Sequence, residues 1–247
     1  MKESEVGEKP KANDYDVFAK FYDAMMGDRS KAQAKIEGLI AENHAEARTV
    51  LELAVGTGSN LVTLAAKHEI YGLDLSAKML EVAKAKLPKG KFFHQNMVTF
   101  KLEERFDVIL CLFDSINHIL EIDAWKVLFR NAQQHLNQNG VFIFDVNTPE
   151  KLQRVIQEPP FVRESDGNRM EMKVQVAGDG VVNWNVKFSE GGDQNRTILH
   201  EENIKEIAVP TDRIQDMLEE IFSSVTVKPD PVADGKPIER VYFICKK

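Results

Sequence analysis

From Thr49 onward the chain alternates short, densely apolar runs with longer stretches whose apolar positions recur every three to four residues. The runs TVLELAV (49–55), EIYGLDL (69–75), KFFHQNM (91–97), FDVILCLF (106–113) and GVFIFDVN (140–147) predict strands. The stretches near 60–67, 76–87 and 123–136 predict the helices between them. Several of these strands are apolar at consecutive positions, so both of their faces need cover. A parallel sheet with helices on either side provides it, and the predicted fold class is a doubly wound α/β architecture. Upstream, Tyr15, Phe18, Ala19, Tyr22 and Met26 fall on one helical face, and a second helix is predicted from about Ser30 to Glu42.

The pattern changes after Pro149. Residues 168–177 alternate apolar and polar in the period of a half-exposed strand, GDG (178–180) is a hairpin signal, and VVNWNVKFS (181–189) and RTILHEENIKEIAV (196–209) complete a predicted three-stranded antiparallel meander. The helix TDRIQDMLEEIF and the runs SSVTV and ERVYFICK then return to the first pattern. The expected organisation is a solvated tail over 1–13 and one domain over 14–247, with an antiparallel insertion at about 155–208. Met170, Met172, Val174, Val176, Val182, Trp184, Val186 and Phe188 give the meander one apolar face, which suits either a lid over a pocket or a homodimer surface.

Composition narrows the function. At 247 residues the chain can bury a sizeable core, and 43% hydrophobic with 29% charged residues is ordinary for a globular domain. The net charge of −7, with no dense Lys/Arg run, removes the phosphate attraction that nucleic-acid binders use. No apolar run approaches the roughly 20 residues of a membrane helix, and the polar amino terminus has no signal-peptide core. A cytoplasmic protein acting on a small molecule, with neither nucleic acid nor membrane as partner, is the expectation. Cys111 and Cys245 sit in apolar runs without metal-ligand spacing, so neither a disulfide nor a metal site is expected.

The chemistry centres on LELAVGTGSN (51–60). Gly56 and Gly58 stand where a strand must turn sharply into a helix, and without a Cβ they let backbone approach a ligand. A dinucleotide fingerprint would place a third glycine where this chain has Leu61. Asp74, at the end of the next strand, can accept hydrogen bonds from ribose hydroxyls, or it can share with Ser76 the capping of the following helix. Glu52 alternates with apolar neighbours, so its carboxylate points either into the layer near the loop, where it needs a partner, or to an exposed edge.

These motifs resemble the class I S-adenosylmethionine-dependent methyltransferases, in particular the small-molecule branch with a tyrosine-bearing amino-terminal helix and a β-insertion after strand five. ELAVGTG is similar to that family's acidic glycine motif, with Ala54 in place of the first glycine. YGLDLSAKML resembles its ribose-binding strand tip, HQNMVTF its adenine turn, and RFDVILCLFDSINHI its fourth strand and catalytic-side loop. The resemblance implies a Rossmann-like fold and S-adenosylmethionine as cofactor. It implies that Gly56 and Gly58 pack against the methionine and ribose portion and that Asp74 holds the ribose. Leu75 and Met79 would line the adenine, Asn96 would stand in for the usual Asp toward the adenine amine, and Met97 would offer its backbone amide. Leu112 and Phe113 would border the sulfonium, while Tyr15 and Tyr22 close over the methionyl end.

Methyl transfer is an in-line displacement that depends mainly on alignment and exclusion of water, with a base needed only when an amine or hydroxyl must lose a proton. The loop FDSINHI lies at the carboxyl edge of the sheet, and the resemblance to aminosugar N-methyltransferases points to His118 as the base. Asp114 is a second catalytic candidate, or a cap for the turn that follows. The implied function is methyl transfer to an N or O atom of a small-molecule acceptor. A nicotinamide-dependent oxidoreductase and a non-catalytic cofactor-binding protein are the alternatives.

Overall fold

The computed structural model describes residues 19, 22–165, 167–178, 180–192, 195–233 and 235–247. Tyr15 and the tail over 1–13 lie outside the described residues. The chain runs through α1 (Tyr22–Met26), α2 (Ser30–Asn43), β1 (Thr49–Leu53), α3 (Leu61–Leu64), β2 (Glu69–Asp74), α4 (Ala77–Lys86), β3 (Lys91–His94), β4 (Phe106–Cys111), a 3-10 turn (Ser115–His118), α5 (Ile122–His135), β5 (Leu136–Asn147), α6 (Pro149–Gln157) and β6 (Phe161–Ser165). It continues through β7 (Asn168–Gly178), β8 (Val181–Glu190), β9 (Thr197–Ile207), α7 (Thr211–Glu219), β10 (Ser224–Pro229) and β11 (Arg240–Lys246).

The first sheet has seven strands in the order β10-β11-β5-β4-β1-β2-β3. β1 pairs in parallel with β2 and β4, β2 with β3, and β4 with β5, while β11 joins β5 antiparallel and pairs with β10. Alternate residues of each strand enter opposite layers, as the period of two requires. On one side Leu51, Leu53, Ile109, Phe142 and Phe144 pack against Trp125, Leu128 and Phe129 of α5 and Ile214 and Leu218 of α7. On the other, Val50, Val108, Leu110, Val141 and Ile143 pack against Ile36, Leu39 and Ile40 of α2 and Leu80 of α4. The mostly parallel doubly wound sheet is thus the one that the apolar runs predict. Chain order reverses between β1 and β4, so the crevice of this topology opens above the carboxyl ends of those two strands.

The second sheet has four strands, β6-β7-β8-β9, all antiparallel, one more than the meander predicted from the sequence. The added strand, β6, is short and pairs with β7 alone. Helix α6 was also not anticipated, although its signal is present: Pro149 occupies the first turn and Thr148 Oγ1 accepts from the Lys151 amide at 3.2 Å. The inner face of the sheet carries Met170, Val186, Phe188 and Ile204, with Tyr22 packed against them. The sheet is tied to the main domain by Asn117, fully buried, whose Nδ2 donates to the carbonyls of Asn147 (3.2 Å) and Ile207 (2.7 Å) and whose Oδ1 accepts from the Asn147 amide (3.1 Å). Cys111 and Cys245 are both free and buried. Among the described residues no helix is long and apolar enough to cross a membrane.

Candidate functional site

A cavity of about 500 Å³ occupies the crevice above β1 and β4, roofed by α1 and by residues 203–205 of β9. That size is within the range of small-molecule sites. Its floor is the turn after β1. Ala54 (φ 53°), Gly56 (φ 55°) and Gly58 (φ 74°) are all left-handed there. The two glycines do different work. A Cβ on Gly56, which lines the cavity, would meet no atom of the described residues within 4 Å, whereas one on Gly58 would come within 3.2 Å of Ala83 Cβ and 3.3 Å of Leu87 Cδ1. Gly58 therefore serves the packing of the loop on α4 and does not line the cavity, contrary to the expectation that both glycines face a ligand. Leu61, where a third glycine would stand, is fully buried in the α2 and α4 layer.

Asp74 sits at the tip of β2. Its Oδ2 accepts from the Gly56 amide and its Oδ1 from the Ser76 amide, each at 2.8 Å. The helix cap is Ser76, whose hydroxyl accepts from the Met79 amide at 3.1 Å, so Asp74 is not spent on capping. Burial raises its pKa against those backbone donors. A carboxylate accepts more than these two bonds, and Asp74 lines the cavity.

Beneath the loop lie a buried acid, Glu52, and a cation, Arg29. Glu52 is 1% exposed; its Oε1 accepts from Asn60 Nδ2 at 2.7 Å while Oε2 has no partner among the described residues. Burial pushes its pKa to about 8, with Asn60 and the charge of Arg29 opposing. Arg29 lines the cavity with its guanidinium over the rings of Phe113 (4.5 Å) and Tyr22 (5.1 Å), and its buried Nη2 also lacks a hydrogen-bond partner among the described residues. Burial is the largest influence on Tyr22 and raises its pKa. α1 is pinned over the loop by Asp23, which accepts from Thr57 Oγ1 at 2.7 Å and Ser59 Oγ at 2.8 Å and pairs with Lys86.

At the far wall Leu75, Met79 and Met97 line the cavity, Leu75 with 51% of its surface exposed. Asn96 does not join them. It is exposed, and its Oδ1 accepts from the Val98 amide at 2.8 Å, closing a local turn that carries the side chain away; Gln95 lines the cavity in its place.

Leu112 and Phe113 border the cavity at the tip of β4, where Phe113 (φ 56°) and Asp114 (φ 53°) are consecutive left-handed residues. Buried Asp145 accounts for that conformation: its two oxygens accept from the amides of Phe113 at 2.7 Å and Asp114 at 3.1 Å. Arg240 reaches Asp114 at 2.8 Å and Asp145 at 3.2 Å. Burial opposes charge on Arg240, but the two carboxylates raise its pKa. Asp114 is correspondingly turned from the cavity. Burial alone would raise its pKa, but Lys151, Arg240 and His118 together hold it low. It occupies the cap position of the 3-10 turn without a capping bond. His118 does line the cavity; its Nδ1 is 3.2 Å from the Lys205 carbonyl oxygen and its Nε2 3.9 Å from Glu206 Oε1. Atoms of Asp114, His118 and Glu206 capable of binding a metal lie within 4.8 Å of one another, but Arg240 already neutralises Asp114.

Arg29, Asp145, Glu206 and Arg240 escaped the sequence reading. A strand ending in FDVN with Asp145 inward, and a basic residue opening the last strand, are weak signals; only the fold brings them to the β4 tip.

A methyltransferase-domain family model matches residues 50–140. A Geobacillus sp. (strain WCH70) protein assigned to the methyltransferases is 26% identical over 248 residues, 94% of this chain and 99% of its own length. A dTDP-3-amino-3,6-dideoxy-alpha-D-glucopyranose N,N-dimethyltransferase of Streptomyces fradiae is 32% identical over 141 residues, 55% of each chain. The crystal structure of an S-adenosylmethionine-dependent methyltransferase from Clostridium acetobutylicum superposes with a TM-score of 0.78 at 28% identity, covering 95% of this chain and 99% of that one.

Proposed function

The chain is a class I S-adenosylmethionine-dependent methyltransferase acting on an N or O atom of a small molecule, and from that premise we propose that its acceptor atom is an amine nitrogen. The observation that carries the site assignment is a pair of buried atoms without a partner among the described residues: Nη2 of the cavity-lining Arg29 and Oε2 of Glu52, buried under the loop, a cation and an acid of the kind that a zwitterionic methionyl group satisfies. The residues present therefore fit the cofactor. Arg29 would take its carboxylate and Glu52 its ammonium, with Tyr22 closing over them. Asp74 would take the ribose hydroxyls through its remaining lone pairs. Leu75, Met79 and Met97 would cover the adenine, and Leu112 and Phe113 the sulfur. When bound, the cofactor supplies a methyl group on a positively charged sulfur, and the electron pair of the carbon–sulfur bond leaves with the sulfur.

The chain's own contribution is to align, to exclude water and to manage one proton. His118, on the cavity wall beyond Phe113, is the base for the acceptor nitrogen. Asp114, held by Arg240, acts on that base only through its charge. The preference for nitrogen follows the amino-sugar substrate named for the Streptomyces fradiae relative. The second sheet, whose β9 roofs the cavity, is the lid over the acceptor.

Calorimetric titration with S-adenosylhomocysteine, followed by a panel of small amines and alcohols assayed for S-adenosylhomocysteine release, tests the reading. Saturable binding and turnover on amines are expected. Binding of NADH with no response to S-adenosylhomocysteine would overturn the site assignment, and turnover on alcohols alone would overturn the nitrogen preference.

A further inference from the structure

We propose that Glu206 is the proton acceptor behind His118, so that His118 and Glu206 form a relay carrying the acceptor's proton out of the cavity, with Asp114 acting on it through its charge alone; this rests on the reading of His118 as the base. A carbonyl oxygen can only accept a hydrogen bond, so the Lys205 contact at 3.2 Å places the imidazole proton on Nδ1 and makes Nε2 the basic atom. Nε2 is the atom that faces Glu206 Oε1, at 3.9 Å. His118 lines the cavity, whereas Glu206 is 4% exposed behind it, with Oε2 fixed by Asn147 Nδ2 at 3.1 Å. A proton leaving the cavity by this wall therefore passes His118 first.

The charges around Glu206 come from every element packed there. Asp114 stands on the turn after β4, His118 on the 3-10 turn, Asp145 and Asn147 on β5, Lys151 on α6 and Arg240 on β11. Three carboxyls face two permanent cations, so one carboxyl is the natural seat of a proton. Lys151, Arg240 and His118 hold Asp114 ionised, while burial and the Asp114 charge raise Glu206 to about 8. The proton thus sits on Glu206 below that pH, and the relay works in the carboxylate form above it.

An acceptor arriving as an ammonium ion loses its N–H proton to Nε2, and the electron pair of that bond stays on the acceptor nitrogen as the nucleophilic lone pair. The protonated ring then turns until Nε2, 3.9 Å from Glu206 Oε1 at rest, comes within hydrogen-bond reach of it; the Nε2–H bond breaks toward Oε1, an O–H bond forms, and the imidazole is neutral again. The product leaves as the methylated ammonium ion, and the one proton left over passes from Glu206 to solvent.

The test is NMR titration of the full chain, labelled with ¹³C at histidine Cε1 and saturated with S-adenosylhomocysteine. The His118 resonance is expected to report the titration of Glu206 as an inflection near pH 8 that E206Q removes and E206D retains, with the other histidines as internal controls. A His118 curve that is the same in E206Q and the unsubstituted chain overturns the relay. If E206Q does not fold, D114N decides, because removing that charge must move the inflection to lower pH, and an unmoved inflection overturns the proposal. Saturation by S-adenosylhomocysteine is read in the same samples. Its absence removes the cofactor reading and the relay with it, while saturation with unresponsive His118 removes the relay alone.

Discussion

Asp74 shows what one carboxylate does when its neighbours relieve it of a structural duty. Ser76 caps α4, so Asp74 braces the loop through the Gly56 amide and lines the cavity with lone pairs to spare. Asp74→Ala is expected to weaken S-adenosylhomocysteine binding by roughly 1–3 kcal/mol, the cost of stranding its hydrogen-bond partners, measured by calorimetry. Glu52 yields a sharper test. It is neutral at pH 7 in the empty site, and the ammonium that its Oε2 would meet favours the carboxylate, so binding is expected to expel a proton. Calorimetry at pH 7 in buffers of different ionisation enthalpy reads that proton, and E52Q should abolish it. At this scale the motifs of the sequence single out Asp74 and His118, which line the cavity, and Glu52, which is buried under the loop. They misplace Asn96, whose amide forms a local turn, and Asp114, whose partner Arg240 lies 126 residues away.

Among the elements, the turn after β1 separates two roles that one glycine pattern conceals. Gly56→Ala is expected to cost cofactor affinity, because its Cβ projects into the cavity, with a stability loss limited to about 1–2 kcal/mol of left-handed strain. Gly58→Ala adds contact with Ala83 and Leu87 to the same strain, so it should lower the melting temperature more while leaving affinity closer to that of the parent. Ala54→Gly relaxes a left-handed alanine; after the extra freedom of the unfolded chain is subtracted, a gain of about 0.5–1 kcal/mol in chemical denaturation is expected. The strands of the first sheet were legible because burial on both faces leaves continuous apolar runs. α6 and β6 were not, since α6 has one buried residue, Leu152, and β6 has none, which leaves little period to read.

For the whole molecule, buried acids set the dependence of stability on pH. Glu52 and Glu206 hold their protons to about 8 when folded but lose them above 4.5, the ordinary value of a glutamate carboxyl, when unfolded. Between those limits the unfolded state binds fewer protons, so stability falls as pH rises, by up to about 1.4 kcal/mol per pH unit for each group. Asp23, Asp107 and Asp114, whose pKa values are lowered, contribute stability that is lost only on acidification below about their unfolded values, outside this window. Melting temperature should therefore decline from pH 5 to pH 8, and E52Q should flatten the decline. Composition and hydrophobic period foretold a two-layered α/β core of this size, but not that its acids would be grouped at one end of the sheet, since that depends on which strand tips meet. The two cysteines carry a practical corollary. Cys111 and Cys245 lie on separate strands of the first sheet, shielded from solvent and with burial raising both thiols. A thiol-directed dye added to the native protein would therefore find no target until the sheet itself comes apart, and the pace of its uptake would serve as a clock for global opening, with no engineered label required.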